Sequence, residues 1–187
     1  MRDLIVTENI TLDGIIEATE GWFGPAGADA ESDQSDVEAA LREQMEAADA
    51  FLVGRTTFEQ LRGYWPQQTN DTTGISDYLN RTSKYVVSST LVDPEWEHTT
   101  VLRDAVWDEL RALKSKPGKD IVTTGSITLV HGLIDSGLVD EYRLFVNPVV
   151  LGGGTPYFPA LDDHISLELV ETRTFGSRVV DRRYRAG

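Results

Sequence analysis

Short apolar runs typical of buried β-strands alternate with helical patterns along the first two thirds of the chain. The strand-like runs occupy residues 4–10, 50–53, 84–88, 99–102, 121–123 and 142–146. Helical periodicity starts at Ser35, at Thr56, after Asp104 and after Ser126. Parallel strands need long connections, which are usually helices, so this alternation predicts an α/β fold with a largely parallel sheet.

The end of the chain shows a different pattern. Two strand-like runs, residues 167–175 and 179–184, flank a turn at Gly176 and Ser177. We expect an antiparallel hairpin there, which closes one edge of a mixed sheet. Residues 20–34 are rich in Gly, Ala, Asp and Ser and predict a long loop. The length of 187 residues suits a single domain over residues 1–187.

Three strand-like runs end in Gly, Ser or Thr close to the start of a helical pattern, which is weak in the second case. These junctions are residues 50–57, 84–90 and 121–126. In open α/β sheets such junctions bring free backbone N–H groups, small hydroxyls and helix N-termini to one edge, where phosphates bind. Arg55 adds a forked donor suited to a phosphate. The sequence therefore predicts a site for a ligand with several phosphates, such as a dinucleotide.

The alternative is that these are ordinary capped junctions without a ligand, because Ser and Thr are common there. Thr56 and Glu59 have the spacing of a capping box, which predicts that the second helix is capped by Thr56. The two common nucleotide-binding fingerprints, G-x-G-x-x-G and G-x-x-x-x-G-K-[ST], are absent from the sequence.

Composition narrows the class of partner. Asp and Glu number 31 against 17 Lys and Arg, for a formal charge of −14, which argues against nucleic acid or an anionic membrane as partner. The chain has no cysteine, and its three histidines are not spaced as metal ligands, so we expect no metal site. No apolar run reaches about 18 residues and no secretory signal is apparent, so we expect a cytoplasmic protein.

Five sequence runs occur in the order typical of one superfamily: residues 53–59, 84–90, 125–129, 138–141 and 148–154. Together they resemble the dihydrofolate-reductase-like superfamily. With Thr11-Leu12-Asp13-Gly14 they are most similar to the reductase domain of the bifunctional riboflavin-biosynthesis deaminase–reductase, in the branch where that domain stands alone. The resemblance implies a three-layer α/β/α fold with a mixed, mostly parallel sheet and an antiparallel C-terminal hairpin. It also implies NADPH as cofactor and a homodimer.

The resemblance assigns the cofactor's phosphates to the three junctions. Arg55 would lie near the phosphate on the adenosine ribose, which Ser88 and Ser89 would also reach, and Gly125 and Ser126 would hold the pyrophosphate at a helix start. The family commonly has two glycines where this chain has Gly125-Ser126. The full set of residues predicted to bind cofactor is Gly54, Arg55, Thr56, Thr57, Ser88, Ser89, Thr90, Gly125, Ser126, Ile127 and Thr128.

The resemblance places Asn9, Thr11 and Asp13 near the nicotinamide and the substrate. Asp13 is the predicted proton-handling or substrate-binding residue, and its alternative role is that of a turn residue ahead of Gly14. Trp22 and Trp65 are predicted to line a flat substrate pocket, with the core as the alternative place for Trp65.

The expected function is an NADPH-dependent reductase that transfers a hydride to a small heterocyclic substrate, pyrimidine- or pterin-like. It would resemble the 5-amino-6-(5-phosphoribosylamino)uracil reductase of riboflavin biosynthesis. One alternative is a true dihydrofolate reductase, although the chain lacks the Leu-Pro-x-Asp pattern of those enzymes. The other alternative is a non-catalytic dinucleotide-binding module. Two observations favour it: a serine stands at position 126, and the sequence has no unambiguous proton donor.

Overall fold

A computed structural model of the protein describes residues 1–16, 35–161 and 163–187. Its sheet has eight strands in the order β4-β3-β2-β5-β1-β6-β8-β7. The strands are β1 (Leu4–Thr11), β2 (Ala48–Gly54), β3 (Ser83–Val87), β4 (Thr99–Leu102), β5 (Asp120–Thr123), β6 (Glu141–Asn147), β7 (Leu167–Thr174) and β8 (Val180–Ala186).

The first six strands in the sheet order, from β4 to β6, run parallel to one another. Their carboxyl ends therefore lie at one edge of the sheet, which we call the carboxyl edge. The last two strands form a hairpin, in which β8 runs antiparallel to both β6 and β7. The predicted mixed sheet with an antiparallel C-terminal hairpin is confirmed.

Helices cover both faces of this sheet. The described α-helices are α1 (Ser35–Ala47), α2 (Arg55–Tyr64), α3 (Ile75–Arg81), α4 (Val106–Ser115) and α5 (Ile127–Asp135). Leu4 and Val6 of β1 pack with α4 and α5 on one face. On the other face, Val53 of β2 packs with α2 and α3, while Phe145 of β6 packs with α1. The predicted three-layer α/β/α arrangement is therefore confirmed. None of the described helices is long and apolar enough to cross a bilayer.

The start of α2 differs from the prediction. The helix begins at Arg55, and its N-cap residue is Gly54, which makes no side-chain hydrogen bond to the helix. The predicted capping box of Thr56 and Glu59 is wrong because the Glu59 carboxylate instead pairs with the Arg55 guanidinium, 3.1 Å away. The first turn of α2 is therefore left without a side-chain cap at the carboxyl edge.

Helix α3 was not expected from the sequence, because seven residues are too few to show a helical period. It follows Gly74, whose φ is +81°. The Asp71 carboxylate accepts hydrogen bonds from the N–H groups of Thr73 and Ser76, both at 2.8 Å. The buried Lys84 ammonium donates to the Leu79 carbonyl at 2.7 Å and so ties α3 to β3.

Candidate functional site

The three junctions predicted to bind phosphates are neighbours at the carboxyl edge. Strands β3, β2 and β5 are adjacent in the sheet, so residues 88–90, 54–57 and 125–127 leave it side by side. The Gly54 N–H donates a hydrogen bond to the Gly125 carbonyl over 3.2 Å, and the Ser88 N–H donates to the Leu102 carbonyl over 3.0 Å. The spatial grouping of these residues is as predicted, while their role in binding a cofactor stays a prediction.

Gly54 and Ser126 are packed so closely that a side chain at position 54 would require Ser126 to move. A Cβ on Gly54 would lie 3.1 Å from the Cβ and 3.2 Å from the backbone nitrogen of Ser126, and it would also collide with the Ser126 hydroxyl. Gly125 has a φ of +121°, which favours glycine, and the Gly125–Ser126 peptide bond is cis. The two turns therefore fit against each other through backbone atoms.

Helices α2 and α5 both begin at this edge. The N-cap residue of α5 is Ser126, and like Gly54 ahead of α2 it makes no side-chain hydrogen bond to its helix. The first N–H groups of both helices therefore have no side-chain acceptor at the cap position. Such groups, with the positive end of the helix dipole, are suited to an anion.

The residues predicted to bind the adenosine ribose phosphate differ in their exposure and in their hydrogen bonds. Arg55 is half-exposed and pairs with Glu59, so a phosphate would replace that carboxylate. Ser88 is buried, and its hydroxyl oxygen accepts the N–H groups of Thr90 at 3.2 Å and Leu91 at 2.9 Å, which shapes the turn. Ser89 and Thr90 are exposed. Ser88 therefore contributes chiefly to the geometry of this junction.

Arg103 is a residue of this edge that sequence reasoning missed. It follows β4, and its guanidinium donates to the Ser89 carbonyl at 3.2 Å and to the Leu91 carbonyl. It thus brings a second guanidinium to the turn after β3. Its place directly after a predicted strand was the signal that could have found it.

Asp13 is a turn residue in this structure. Its carboxylate accepts hydrogen bonds from the Thr11 hydroxyl at 2.5 Å and the Gly152 N–H at 2.8 Å, and so joins the turn after β1 to the segment after β6. The Thr11 hydrogen bond, and then that from Gly152, lower the pKa of Asp13. The geometry therefore supports the turn alternative, because an ionised Asp13 has no proton to donate at neutral pH. A contact with substrate stays a prediction.

The other predicted substrate residues have different surroundings. Asn9 is partly exposed, whereas Thr11 is fully buried and its hydroxyl also accepts the Ile15 N–H at 2.9 Å. Trp65 follows the end of α2 in a 3-10 turn, Trp65–Gln67, and packs against the core cluster around Phe58. This position supports the core alternative for Trp65, and its pocket-lining role stays a prediction. Trp22 lies outside the described residues.

Glu8 is a second functional candidate that sequence reasoning missed. It lies on β1 between Val6 and Ile10, and its Oε1 is 3.7 Å from the position that a Cβ on Gly125 would occupy. Burial raises the pKa of Glu8 to about 8, so its carboxyl group is largely protonated at neutral pH. Within residues 1–16, 35–161 and 163–187 the Glu8 carboxyl group has no hydrogen-bond partner. The signal available in the sequence was an acidic residue inside a run predicted to be a strand.

A groove lies at the other edge of the sheet, where the strands begin. It has a volume of about 780 Å³, and its lining includes Arg2, Asp49, Arg81 and Lys119. Arg2 pairs with Asp49, and the Lys119 ammonium donates to the Glu46 carbonyl at 2.7 Å. Two of the cations that line this groove are therefore held by groups of the protein, and the phosphate prediction stays with the carboxyl edge, where helices α2 and α5 begin.

The chain is similar to known proteins over nearly its whole length. A sequence model of the RibD C-terminal domain matches residues 2–180. Protein YyaP of Bacillus subtilis (strain 168) is 34% identical over 185 residues, which are 98% of this chain and 94% of YyaP.

Two solved structures have the same fold. A putative riboflavin biosynthesis protein from Shewanella sp. PV-4 superposes with a TM-score of 0.72 at 19% identity, with 99% of each chain covered. Dihydrofolate reductase from Enterococcus faecalis, complexed with NADP(H) and RAB-propyl, gives a TM-score of 0.62 at 18% identity, over 99% of this chain and 96% of that chain. The predicted dihydrofolate-reductase-like fold is confirmed.

Proposed function

Because this chain belongs to the RibD C-terminal domain family, we propose that it is an NADPH-dependent reductase. Its substrate would be a small heterocycle, pyrimidine- or pterin-like, related to the 5-amino-6-(5-phosphoribosylamino)uracil of riboflavin biosynthesis. The observation that carries the proposal is the meeting of residues 54–57, 88–90 and 125–127 at one edge of the sheet.

The residues at this edge fit a dinucleotide. The uncapped first turns of α2 and α5 offer backbone donors to the phosphates, and Gly125 leaves free the space beside the Thr57 hydroxyl and the Ile127 nitrogen. Arg55 exchanges its exposed Glu59 partner for the phosphate on the adenosine ribose, which NADPH has and NADH lacks. When bound, NADPH supplies the hydride.

The chain's own task in this chemistry is positioning. Hydride transfer needs no protein nucleophile, so the protein has to hold the dinucleotide against the substrate, exclude water and provide a proton. The rigid sheet edge and the interlocked turns at Gly54 and Ser126 serve the first of these tasks. Glu8 is a partly buried acid at this edge with a raised pKa, whereas Asp13 is held in its ionised form.

Calorimetric titration of NADPH and NADH into the wild type and Arg55→Ala tests the cofactor assignment. We expect Arg55→Ala to weaken NADPH binding about tenfold and NADH binding much less, since a charge-assisted hydrogen bond contributes about 1.5–3 kcal/mol. Arg111→Ala is the matched control, because Arg111 is also a half-exposed helix residue paired with an acid, Asp108, at 3.0 Å.

Two results would count against the proposal. If the wild type binds neither dinucleotide, the carboxyl edge is not a dinucleotide site. If it binds NADPH but oxidises none with a panel of pyrimidines, pterins and dihydrofolate, the non-catalytic binding module is the better description. Turnover of dihydrofolate alone would favour the dihydrofolate reductase alternative.

A further inference from the structure

The strand that carries Glu8 extends beyond its neighbour in the sheet. Pairing of β1 with β5 ends at Val6 and Thr123, whereas pairing of β1 with β6 continues to Thr11 and Asn147. From Glu8 onward, the side of β1 that faces β5 therefore borders the Gly125–Ser126 turn instead of another strand. This opening is part of the carboxyl edge at which the phosphates are proposed to bind.

Three polar groups converge on the space that Gly125 leaves free. The missing Cβ of Gly125 would lie 3.4 Å from the Thr57 hydroxyl, 3.7 Å from Glu8 Oε1 and 3.9 Å from the Ile127 nitrogen. The hydroxyl belongs to the first turn of α2 and the nitrogen to the first residue of α5. The Glu8 carboxyl group thus lies among the donors that the proposed function assigns to the cofactor.

We propose that Glu8 is a further residue of the dinucleotide site, which binds as a neutral carboxylic acid and donates its proton in a hydrogen bond to the ligand. The proposal rests on the proposed function, because the ligand is taken to be NADPH. Glu8 is a partly buried acid with no hydrogen-bond partner in the described part of the chain, and it gains one when the ligand arrives. An ionised carboxylate at the same place would repel the phosphates.

Among the described residues, no cation lies close enough to Glu8 to hold it ionised. Strand β6 places Leu144 beside it, and the Thr57 hydroxyl of α2 and the Ile127 nitrogen of α5 lie with Glu8 Oε1 around the open space at Gly125. The titratable group that faces it from the segment after β6 is Tyr157, whose pKa is raised chiefly by burial and also by the charge of Glu8. Desolvation is therefore the single cause of the raised pKa of Glu8.

The pH dependence of NADPH binding tests this role. With a Glu8 pKa of about 8, the affinity of the wild type should be nearly constant up to pH 7 and fall about tenfold by pH 9. Glu8→Gln keeps a neutral side chain with a donor, so its affinity should match that of the wild type at pH 7 and stay constant to pH 9. Lys84, whose pKa burial lowers to about 8, is unchanged in both proteins and cannot produce a difference between them.

Glu109→Gln is the control for removing an acid, because Glu109 is exposed on α4. A constant affinity of the wild type from pH 7 to pH 9 would overturn the proposal without use of any variant. Equal pH profiles of the wild type and Glu8→Gln would also overturn it while leaving the dinucleotide site in place. Failure of both proteins to bind NADPH at every pH would instead remove the proposed function, and this inference with it.

Discussion

Substitution of Gly54 by alanine tests whether the interlocked turns at the carboxyl edge are needed for binding. The backbone of Gly54, with φ −78° and ψ 158°, accepts any residue, so the added methyl group acts through its contacts alone. It would lie 3.2 Å from the Ser126 nitrogen and 3.1 Å from the Ser126 Cβ, so Ser126 has to move. Overpacking of this kind costs about 1–3 kcal/mol in the free energy of unfolding.

The matched control is Gly63→Ala, because Gly63 lies in the same α2 helix with no atom within 4 Å of a Cβ. That variant should be neutral or up to about 1 kcal/mol more stable, from the higher helix propensity of alanine. Urea denaturation gives both free energies, and calorimetry of NADPH binding gives the effect on the site. We expect Gly54→Ala to lose at least tenfold in NADPH affinity and Gly63→Ala to lose none.

Ser126→Gly provides the rescue. It removes the Oγ and Cβ that the new methyl group meets and leaves only the backbone nitrogen nearby. In the double variant Gly54→Ala/Ser126→Gly, we expect the two substitutions to couple favourably by about 1–2 kcal/mol. Equal stability and equal NADPH affinity of Gly54→Ala and Gly63→Ala would refute the packing argument, as would additive effects in the double variant.

Two further predictions concern stability. In Gly132→Ala the new Cβ would lie 2.7 Å from the Trp107 ring, so we expect a loss of about 1–3 kcal/mol in urea denaturation, despite the better helix propensity, and recovery on adding Trp107→Leu. For Glu8, the pKa is raised from 4.5 when unfolded to about 8 when folded, so its stabilising contribution is complete below pH 4.5 and is lost as the pH rises through 8. The wild type should therefore lose roughly 4 kcal/mol relative to Glu8→Gln between pH 5 and pH 8.5, and parallel stability curves would contradict this.

Local patterns along the chain predicted the eight strands and the three junctions at residues 50–57, 84–90 and 121–126, because a strand end followed by Gly, Ser or Thr is visible in a few residues. What these patterns left open depends on contacts distant in sequence. Glu8 borders the site because β5 ends at Thr123 while β1 continues. The predicted cap of α2 does not form because the Glu59 carboxylate pairs with the Arg55 guanidinium.

The role of Asp13 also depends on a contact that is distant in sequence. Its Asp-Gly context is compatible with either catalysis or a turn, and the hydrogen bond from the N–H of Gly152, distant in sequence, favours the turn. The missed helix α3 is a local failure, since its seven residues carry too little periodicity to be recognised.

A crystal structure of the protein with NADPH is the most direct test of the central claim. The claim predicts that the pyrophosphate contacts the first turns of α2 and α5, beside residues 54–57 and 125–127, with the adenosine ribose phosphate at Arg55. Density for the dinucleotide at the opposite edge, in the groove lined by Arg2 and Lys119, would contradict it.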